Sequence, residues 1–460
     1  MTIMNVYEQS NLNVIILAAG KGTRMYSSLP KVLHEIAGRP MVSHVVATAR
    51  ELGASDICVV YGHGGQKVPE LLDGEHISFA RQEPQLGTGH AVQCAVPQVS
   101  RNGRTLILYG DVPLIGKNTL QRLLSAASPF GLLTVRLQNP RGYGRIVRDH
   151  QGRVFKIVEE KDSNPAEKAI TEVNTGVMVL PTEKLSEWLG RLQNNNTKGE
   201  YYLNDVVAMA VNEGMGIATV QPEHEWEVLG VNNRAQLAEL ERIHQNHLAS
   251  ELMHAGVTLA DPNRFDLRGS LRCGRDVFID VNCLFEGDVF LGDEVRIGAN
   301  CVIRNAVIDQ NTVIEPFSHI DGARIASSCK IGPYARIRPS TILGEKAHVG
   351  NFVEIKNAEI GEGSKANHLS YIGDATIGSG VNIGAGTITC NYDGAKKHRT
   401  VIEDGAFIGS DTQLVAPVTI GRNATIGAGS TITRNAPEGG LTLSRSKQVH
   451  IEYWKRPRKE

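Results

Sequence analysis

Net charge, clustered cysteine and long apolar runs are what this sequence lacks, and each absence removes a class of protein. Its 48 basic residues almost cancel 49 acidic ones, leaving a formal charge of -1. A chain so balanced has no global field to recruit nucleic acid or a membrane surface, and neither is expected as a partner. The basic end, Lys455, Arg456, Arg458 and Lys459, is short and reads as solvated. Seven cysteines lie scattered without a paired short spacing. An odd, dispersed set argues against a disulfide framework and for free thiols in a reducing cytosol. No stretch is long and apolar enough to span a bilayer. The apolar run 14–20 has no basic segment before it and leads into Lys21 and Arg24, unlike a secretory leader. The expected location is cytoplasmic. With 460 residues the chain should form two or three domains, each with a core of its own.

The most regular pattern lies near the C-terminus. Apolar residues return at every sixth position: Ile402, Ile408, Leu414, Ile420, Ile426 and Ile432. Six residues of α-helix turn through roughly 600°, so the series would wander round the axis. On extended chain an even step keeps one face. One strand of that length is unusual, since most end within about ten residues, so the run reads as short strands with turns. Glycines that follow rungs, as in Ile408-Gly409 and Ile420-Gly421, supply on this reading the positive φ of a corner. The ladder also runs through Ile279, Phe285, Leu291, Ile297 and Ile303. It resumes at Ile308, Ile314 and Ile320 and at Ile325, Ile331 and Ile337, with a five-residue step between triplets. Val349, Ile355, Ile360, Ile372, Ile377 and Ile383 continue it less cleanly. Three rungs per coil make a parallel β-helix of hexapeptide units; a sandwich with glycine turns is the alternative. The pattern resembles the left-handed hexapeptide-repeat acyltransferases, and the left hand comes from that resemblance.

The N-terminal half alternates differently. The run 14–17 is continuously apolar, as in a buried parallel strand, and breaks at Ala18-Ala19-Gly20-Lys21-Gly22-Thr23-Arg24-Met25. Small residues after a strand let backbone amides approach a phosphate, and Lys21, Arg24 and Lys31 add positive charge. The glycine spacing matches neither the P-loop nor the dinucleotide fingerprint. Further apolar runs at 57–61, 105–109 and 132–135 alternate with helical stretches, so a Rossmann-like α/β domain with a mostly parallel sheet is expected. Its ligand should lie at the carboxyl ends of the strands. Asp111 follows one such strand directly, where a carboxylate suits Mg²⁺ or serves as a plain turn residue before Pro113.

Six motifs in order resemble the sugar-1-phosphate nucleotidyltransferases: Leu17-Ala18-Ala19-Gly20-x-Gly-Thr-Arg-Met, Pro30-Lys31, Gln85-Leu86-Gly87-Thr88-Gly89, Tyr109-Gly110-Asp111, Gly142-Tyr143-Gly144-Arg145 and Glu172-Val173-Asn174-Thr175-Gly176. The resemblance implies that Leu17, Ala18, Ala19 and Gly20 hold the uracil and ribose side, and Lys31 and Arg24 the triphosphate. It implies that Gln82, Gly87 and Thr88 read the base, and that Tyr109, Gly110, Gly144, Glu159 and Asn174 surround the sugar. Asp111 and Asn232 would bind Mg²⁺. Such a transfer needs positioning and charge neutralisation more than a nucleophilic side chain, which fits the absence of a serine triad.

From Arg234 to Met253 the sequence is charged and helix-favouring, with Leu237, Leu240, Ile243, Leu248 and Leu252 near helical spacing. The expected organisation is a uridyltransferase domain over 1–233, a helical linker over 234–256, and a β-helix acetyltransferase domain with a tail over 257–460. Between Arg336 and Tyr392 polar residues crowd the ladder, and regularity fails from Thr389 to Thr400 as a protruding loop would require. His368 there is the candidate general base, because acyl transfer to an amine needs a proton acceptor that works near neutrality. Asn367-His368-Leu369-Ser370-Tyr371, Gly350-Asn351-Phe352-Val353-Glu354 and the stretch from Asn382 through Gly394 resemble one family. It is the bacterial bifunctional N-acetylglucosamine-1-phosphate uridyltransferases and glucosamine-1-phosphate acetyltransferases, and the resemblance covers both halves of the chain.

That resemblance implies that Arg338, Lys356, Tyr371 and Asn382 hold the phosphorylated amino sugar. Ala385, Ser410, Ala428 and Arg445 would line an acetyl-CoA groove, with Asn391 and Tyr392 closing the site. It implies a homotrimer with acetyl sites built from neighbouring subunits. It further implies UTP and acetyl-CoA as cosubstrates, and a product that feeds peptidoglycan and lipopolysaccharide synthesis. Two rivals are a single-activity nucleotidyltransferase whose β-helix only oligomerises and a sugar-nucleotide sensor without turnover. The density of polar residues from His368 to Tyr392 counts against the first. The intact Lys31, Asp111 and His368 set counts against the second.

Overall fold

The structure, a computed structural model, describes residues 11–62, 64–74 and 76–459. The chain divides into two units, Met1–His244 and Gln245–Glu460. The first is built on a nine-stranded sheet. Its strands are β1 (Leu12–Leu17), β2 (Asp56–Tyr61), β3 (Ser78–Arg81), β4 (Arg104–Tyr109), β5 (Phe130–Arg136), β6 (Arg145–Arg148), β7 (Val154–Val158), β8 (Glu172–Pro181) and β9 (Ile217–Val220). The main order is β9-β5-β8-β4-β1-β2-β3, with the β6–β7 hairpin attached to β8. β1 is buried along its whole length because each face has its own core. Val14 and Ile16 pack with Val42, Val45 and Leu120, whereas Ile15 and Leu17 pack with Ala91, Val92 and Trp188. Helices Met41–Glu51 and Lys117–Ala126 supply the first face, Thr88–Ala95 and Thr182–Leu189 the second. Two apolar faces need an unbroken apolar strand, hence the run rather than an alternation.

The sheet is more mixed than the alternation suggested. β1 runs parallel to β2 and β4, but β8 runs antiparallel to β4 and β5. The chain reaches β8 from the β6–β7 hairpin and the single turn Pro165–Lys168, with no long crossover helix to carry it back to a parallel start. After β1 the chain moves to one side (β2, β3) and then returns to the other (β4). The carboxyl ends of β1 and β4, at Leu17 and Tyr109, therefore flank a topological switch point, the usual crevice for a ligand.

The second unit is a parallel β-helix. One column of inward residues runs Ile279, Ile297, Ile314, Ile331, Val349, Ala366, Ile383, Ile408 and Ile426, each paired with the next. The step is 17 or 18 residues except from Ile383 to Ile408, where it is 408 − 383 = 25. The extra chain is the loop around 391–399. Leu343, Ala366 and Thr389 fill the rungs that the sequence ladder skips. The post-rung glycines have another purpose than the one expected. Gly409 and Gly421 do not have positive φ, and a Cβ on either would meet the backbone nitrogen of Ala428 or Glu438 at 2.5 and 2.6 Å. They permit coils to stack. Many corners that do adopt positive φ carry side chains, among them Asn282, Asn300, Phe317, Tyr334, Phe352 and Leu369.

All seven cysteines are free. Cys283 and Cys301 point inward, and their thiols donate to the corner carbonyls of Gly298 and Glu315 at 3.2 and 3.3 Å. Thr412 and Ser430 do the same at Gly409 and Gly427, so these thiols act as small interior donors. Helix Arg234–His254 contributes to both units. Leu240 is buried with Met25, Ile36, Met41 and Val231, and Ala249 with Val257, Phe265 and Leu267. Gln245 is fully buried; its amide exchanges two hydrogen bonds with the backbone of Leu267, at 2.8 and 2.9 Å. No described helix is long and apolar enough to cross a membrane.

Two candidate active sites

At the switch point of the first unit opens a cleft of about 410 Å³. Ten of the residues named from sequence line it: Leu17, Ala18, Ala19, Gly20, Lys31, Gln82, Gly87, Thr88, Tyr109 and Asp111. Lys21, Gln85 and Glu200 line it too, and no role had been given to the last two. Gln85 Nε2 donates to Ala19 O at 2.6 Å and so braces the Leu17–Gly20 turn. Gly110 donates its N–H to Leu17 O at 2.9 Å, locking the two strand ends together.

Charge gathers at one wall. Lys31 Nζ is ion-paired with Asp111 and donates to Asn232 Oδ1 at 3.3 Å. Arg24 donates to the same Asn232 oxygen at 2.9 Å. Asn232 is held from behind, its N–H donating to Gln236 Oε1 at 2.8 Å. Residues from three remote stretches therefore meet at one point. The oxygens of Asp111 and Asn232 converge on a single cation, the Lys31 ammonium. One carboxylate and one amide oxygen make a hard donor pair, and no group of three His, Cys, Asp or Glu accompanies them among the described residues. A small divalent ion held there would complete its shell with water and phosphate oxygens, as Mg²⁺ does.

Gly144, Glu159 and Asn174 form a second group beside Tyr109. Asn174 N–H donates to Gly144 O at 2.8 Å. Asn174 Nδ2 donates to Asn204 Oδ1 at 2.8 Å, and Asn204 Nδ2 to Glu159 Oε1 at 2.6 Å. Asn204, unmarked in the sequence reading, is thus the middle of the chain. Burial pushes the Glu159 carboxyl pKa up, and burial with the nearby charges of Asp111 and Glu159 pushes the Tyr109 phenol up. Gly176 leaves room for Tyr109: a Cβ there would lie 2.5 Å from its ring.

In the β-helix, His368 belongs to a line of equivalent positions on successive coils. The N–H after each position bonds the carbonyl one coil back: Leu369 to Asn351, Gly386 to His368, Asp411 to Ala385 and Gly429 to Ser410. Arg445 Nη1 completes the line at Ala428 O, 2.9 Å away. His368, Ala385, Ser410, Ala428 and Arg445, far apart in sequence, therefore lie in one row. With strands about 4.8 Å apart, His368 to Ala428 spans roughly 14 Å. His368 is exposed, and its Nδ1 lies 2.7 Å from Asn351 Oδ1.

Across the Leu369 corner lies the other group. Outward charges alternate along its face as Arg268, Glu286, Arg304 and Asp321. Arg338 continues the alternation on the next coil, and Lys356 breaks it on the one after. Arg338 pairs sideways with Glu354 at 2.8 Å. Lys397, on the inserted loop, crowds Lys356 and with Arg338 pushes its pKa down. Positive charge in excess of its partners is what an anion site requires. Asn391 Nδ2 bonds Asp374 and reaches Tyr371 Oη at 3.5 Å, while Asn357 Nδ2 holds the other Asp374 oxygen at 2.6 Å. Asn382 lies on the His368 side, paired with Lys365. Tyr392 is not drawn in; it is 62% exposed and its hydroxyl donates to Gly394 O in its own loop. The sequence reading missed Lys397 and Asp374 and gave Asn351 no role. A doubled lysine inside the one irregular coil was the available signal for the first.

Residues 14–256 match the MobA-like NTP transferase domain, 268–361 the GMPPB C-terminal domain, and 399–434 the bacterial transferase hexapeptide model of six repeats. The "Bifunctional protein GlmU" of Azoarcus sp. (strain BH72) is 62% identical over 451 residues, 98% of this chain and 100% of its own. That of Janthinobacterium sp. (strain Marseille) is 59% identical over 448 residues, 97% and 99% of the two chains. A solved UDP-glucose pyrophosphorylase complexed with UDP-glucose is 15% identical, with a TM-score of 0.44 over 51% of this chain and 98% of that one. At these identities over nearly the full length, the chain belongs to the family of bifunctional GlmU proteins.

Proposed function

We propose that this chain makes UDP-N-acetylglucosamine in two consecutive transfers, one on each unit. Residues 257–460 acetylate glucosamine-1-phosphate with acetyl-CoA. Residues 1–233 then transfer UMP from UTP to N-acetylglucosamine-1-phosphate, with 234–256 as the helical linker. The product supplies peptidoglycan and lipopolysaccharide precursors. The observation that carries the reading is the presence, on one chain, of two separate polar constellations, Lys31–Asp111–Asn232 and the row beginning at His368.

In acetyl transfer the sugar amine attacks the thioester carbonyl carbon; the C–N bond forms, the C–S bond breaks, and coenzyme A leaves as the thiol. His368 Nε2 takes the proton that the amine sheds as the C–N bond forms and returns it to the departing thiolate. Arg338, Lys356 and Lys397 hold the sugar phosphate, with Tyr371, Asn382 and Asn391 about the ring. Ala385, Ser410, Ala428 and Arg445 line the course of acetyl-CoA, and Tyr392, exposed on its loop in the free chain, closes the site over bound substrate. In uridylyl transfer a phosphate oxygen of the sugar attacks the α-phosphorus of UTP in line, and pyrophosphate leaves. Lys31 and Arg24 neutralise the triphosphate. Gln82, Gly87 and Thr88 read the base, and Glu159, Asn174 and Asn204 orient the sugar. Asp111 and Asn232 would hold Mg²⁺, which when bound would supply positive charge to offset that of the phosphates. The assembly is a homotrimer whose acetyl sites lie between subunits, and the enzyme works in the cytoplasm.

The test is a two-part assay of the purified chain with Mg²⁺. Acetyl-CoA with glucosamine-1-phosphate should release thiol, and UTP with N-acetylglucosamine-1-phosphate should release pyrophosphate. Pyrophosphate without thiol would reduce the β-helix to a scaffold.

A further inference from the structure

Behind Gln82 lies a residue that neither the motifs nor the chemistry above use. Gln82 is 5% exposed and lines the nucleotide cleft. Its Nε2 lies 2.8 Å from Gly87 O and 3.3 Å from His90 Nδ1, on the helix Thr88–Ala95. A carbonyl oxygen can only accept, so the Gln82 atom facing Gly87 O must be the NH₂ group. Gly87 is itself fixed, at φ +108°, with Tyr201 O 2.6 Å from where a Cβ would stand. The second amide hydrogen then points at His90 Nδ1, which must present its lone pair. The ring proton is left on Nε2, 3.8 Å from the Cys94 sulfur. Both Gln82 hydrogens are thereby committed. Its Oε1 accepts from no described residue and is the group offered to a ligand.

We infer that His90 is a positioning residue for base selection, holding the Gln82 amide in the orientation that accepts from the N3–H of uracil and refuses cytosine. Uracil carries a donor at N3 and cytosine an acceptor, so the wrong base would face oxygen against nitrogen lone pair. Accepting cytosine requires the amide to flip, which turns Oε1 toward Gly87 O and breaks both amide hydrogen bonds. A site that presents one fixed hydrogen-bonding group discriminates far better than shape alone. The inference rests on the reading of this cleft as the UTP site.

The experiment measures kcat/KM for pyrophosphate release with UTP, CTP and 5-methyl-UTP, in the unaltered chain, His90→Leu and His90→Asn. 5-Methyl-UTP shares the N3–H of uracil, so it reports a merely loosened pocket. His90→Leu should lower the UTP:CTP ratio roughly tenfold, about the worth of one hydrogen bond, and leave the UTP:5-methyl-UTP ratio unchanged. KM for N-acetylglucosamine-1-phosphate should not move. His90→Asn, whose Oδ1 can take the place of Nδ1 as acceptor, should keep the original ratio. An unchanged UTP:CTP ratio in His90→Leu would overturn the inference. So would a parallel change with 5-methyl-UTP, or an Asn variant as poor as the Leu variant. No pyrophosphate from UTP with the unaltered chain would overturn the nucleotide reading itself, and this inference with it.

Discussion

His368 Nδ1 lies 2.7 Å from Asn351 Oδ1, on the preceding coil of the β-helix. An amide oxygen only accepts, so Nδ1 carries the proton and Nε2 keeps its lone pair outward. His368→Ala should lower acetyl transfer by roughly 10²–10⁴ and leave uridylyl transfer intact. Asn351→Ala, which removes only the orienting bond, should cost roughly tenfold. Thiol release measured beside pyrophosphate release checks both, and equal loss of the two activities would indicate misfolding instead.

Lys31, Asp111 and Asn232 make the corresponding prediction for the other half. Asp111→Ala should lower uridylyl transfer by roughly 10²-fold or more, on the scale of losing one preorganised electrostatic group. Chelation of Mg²⁺ by EDTA should stop pyrophosphate release and spare thiol release, because acetyl transfer to an amine asks for a proton acceptor and not for screening of a triphosphate. Both activities are read from one preparation.

Lys397 should set the affinity for the sugar phosphate. Lys356 in the free protein has a lowered pKa because Lys397 crowds it, with Arg338 adding to the effect. A bound phosphate offsets that repulsion and raises the pKa again. Affinity is therefore full below the free value and falls as pH rises from it toward the bound value. Lys397→Ala should raise KM for glucosamine-1-phosphate roughly ten- to hundredfold, with kcat far less affected, and should move the alkaline fall to higher pH. A KM profile against pH for the two proteins tests this.

Acid sensitivity has an identifiable contributor in the first unit. Hydrogen bonds from Arg191 and from Trp188 Nε1, with Lys184 beside them, hold the Glu213 carboxyl at about 2. Its unfolded value is about 4.3. A depressed carboxyl contributes stability that is present above the unfolded value and is lost as pH falls toward about 2. Glu213→Gln should lower Tm at pH 6 and differ less from the parent at pH 3. Thermal unfolding at the two pH values reads the difference.

Sequence and structure can be compared residue by residue. The six-residue ladder is a local property of extended chain, so Ile402 through Ile432 announced the β-helix without tertiary information. Ala366 and Thr389 were invisible as rungs because small or polar residues can face inward wherever neighbours and corner hydrogen bonds fill the space. The glycines were noticed for the wrong reason: Gly409 is required by the coil stacked on it, and stacking partners lie 17 to 25 residues away. The reversed β8 was equally hidden, since strand direction depends on the whole connection before it.

By itself the sequence determined the two architectures and carried the motifs of the family, because periodicity and motif spacing are written along the chain. Only the tertiary structure decided which side chains meet: Asn351 with His368, Lys397 with Lys356, Asn204 with Glu159, His90 with Gln82. Except for His90, each of these partners comes from another coil, loop or strand end. A hydrogen bond forms over about 3 Å of space regardless of how much chain separates its ends.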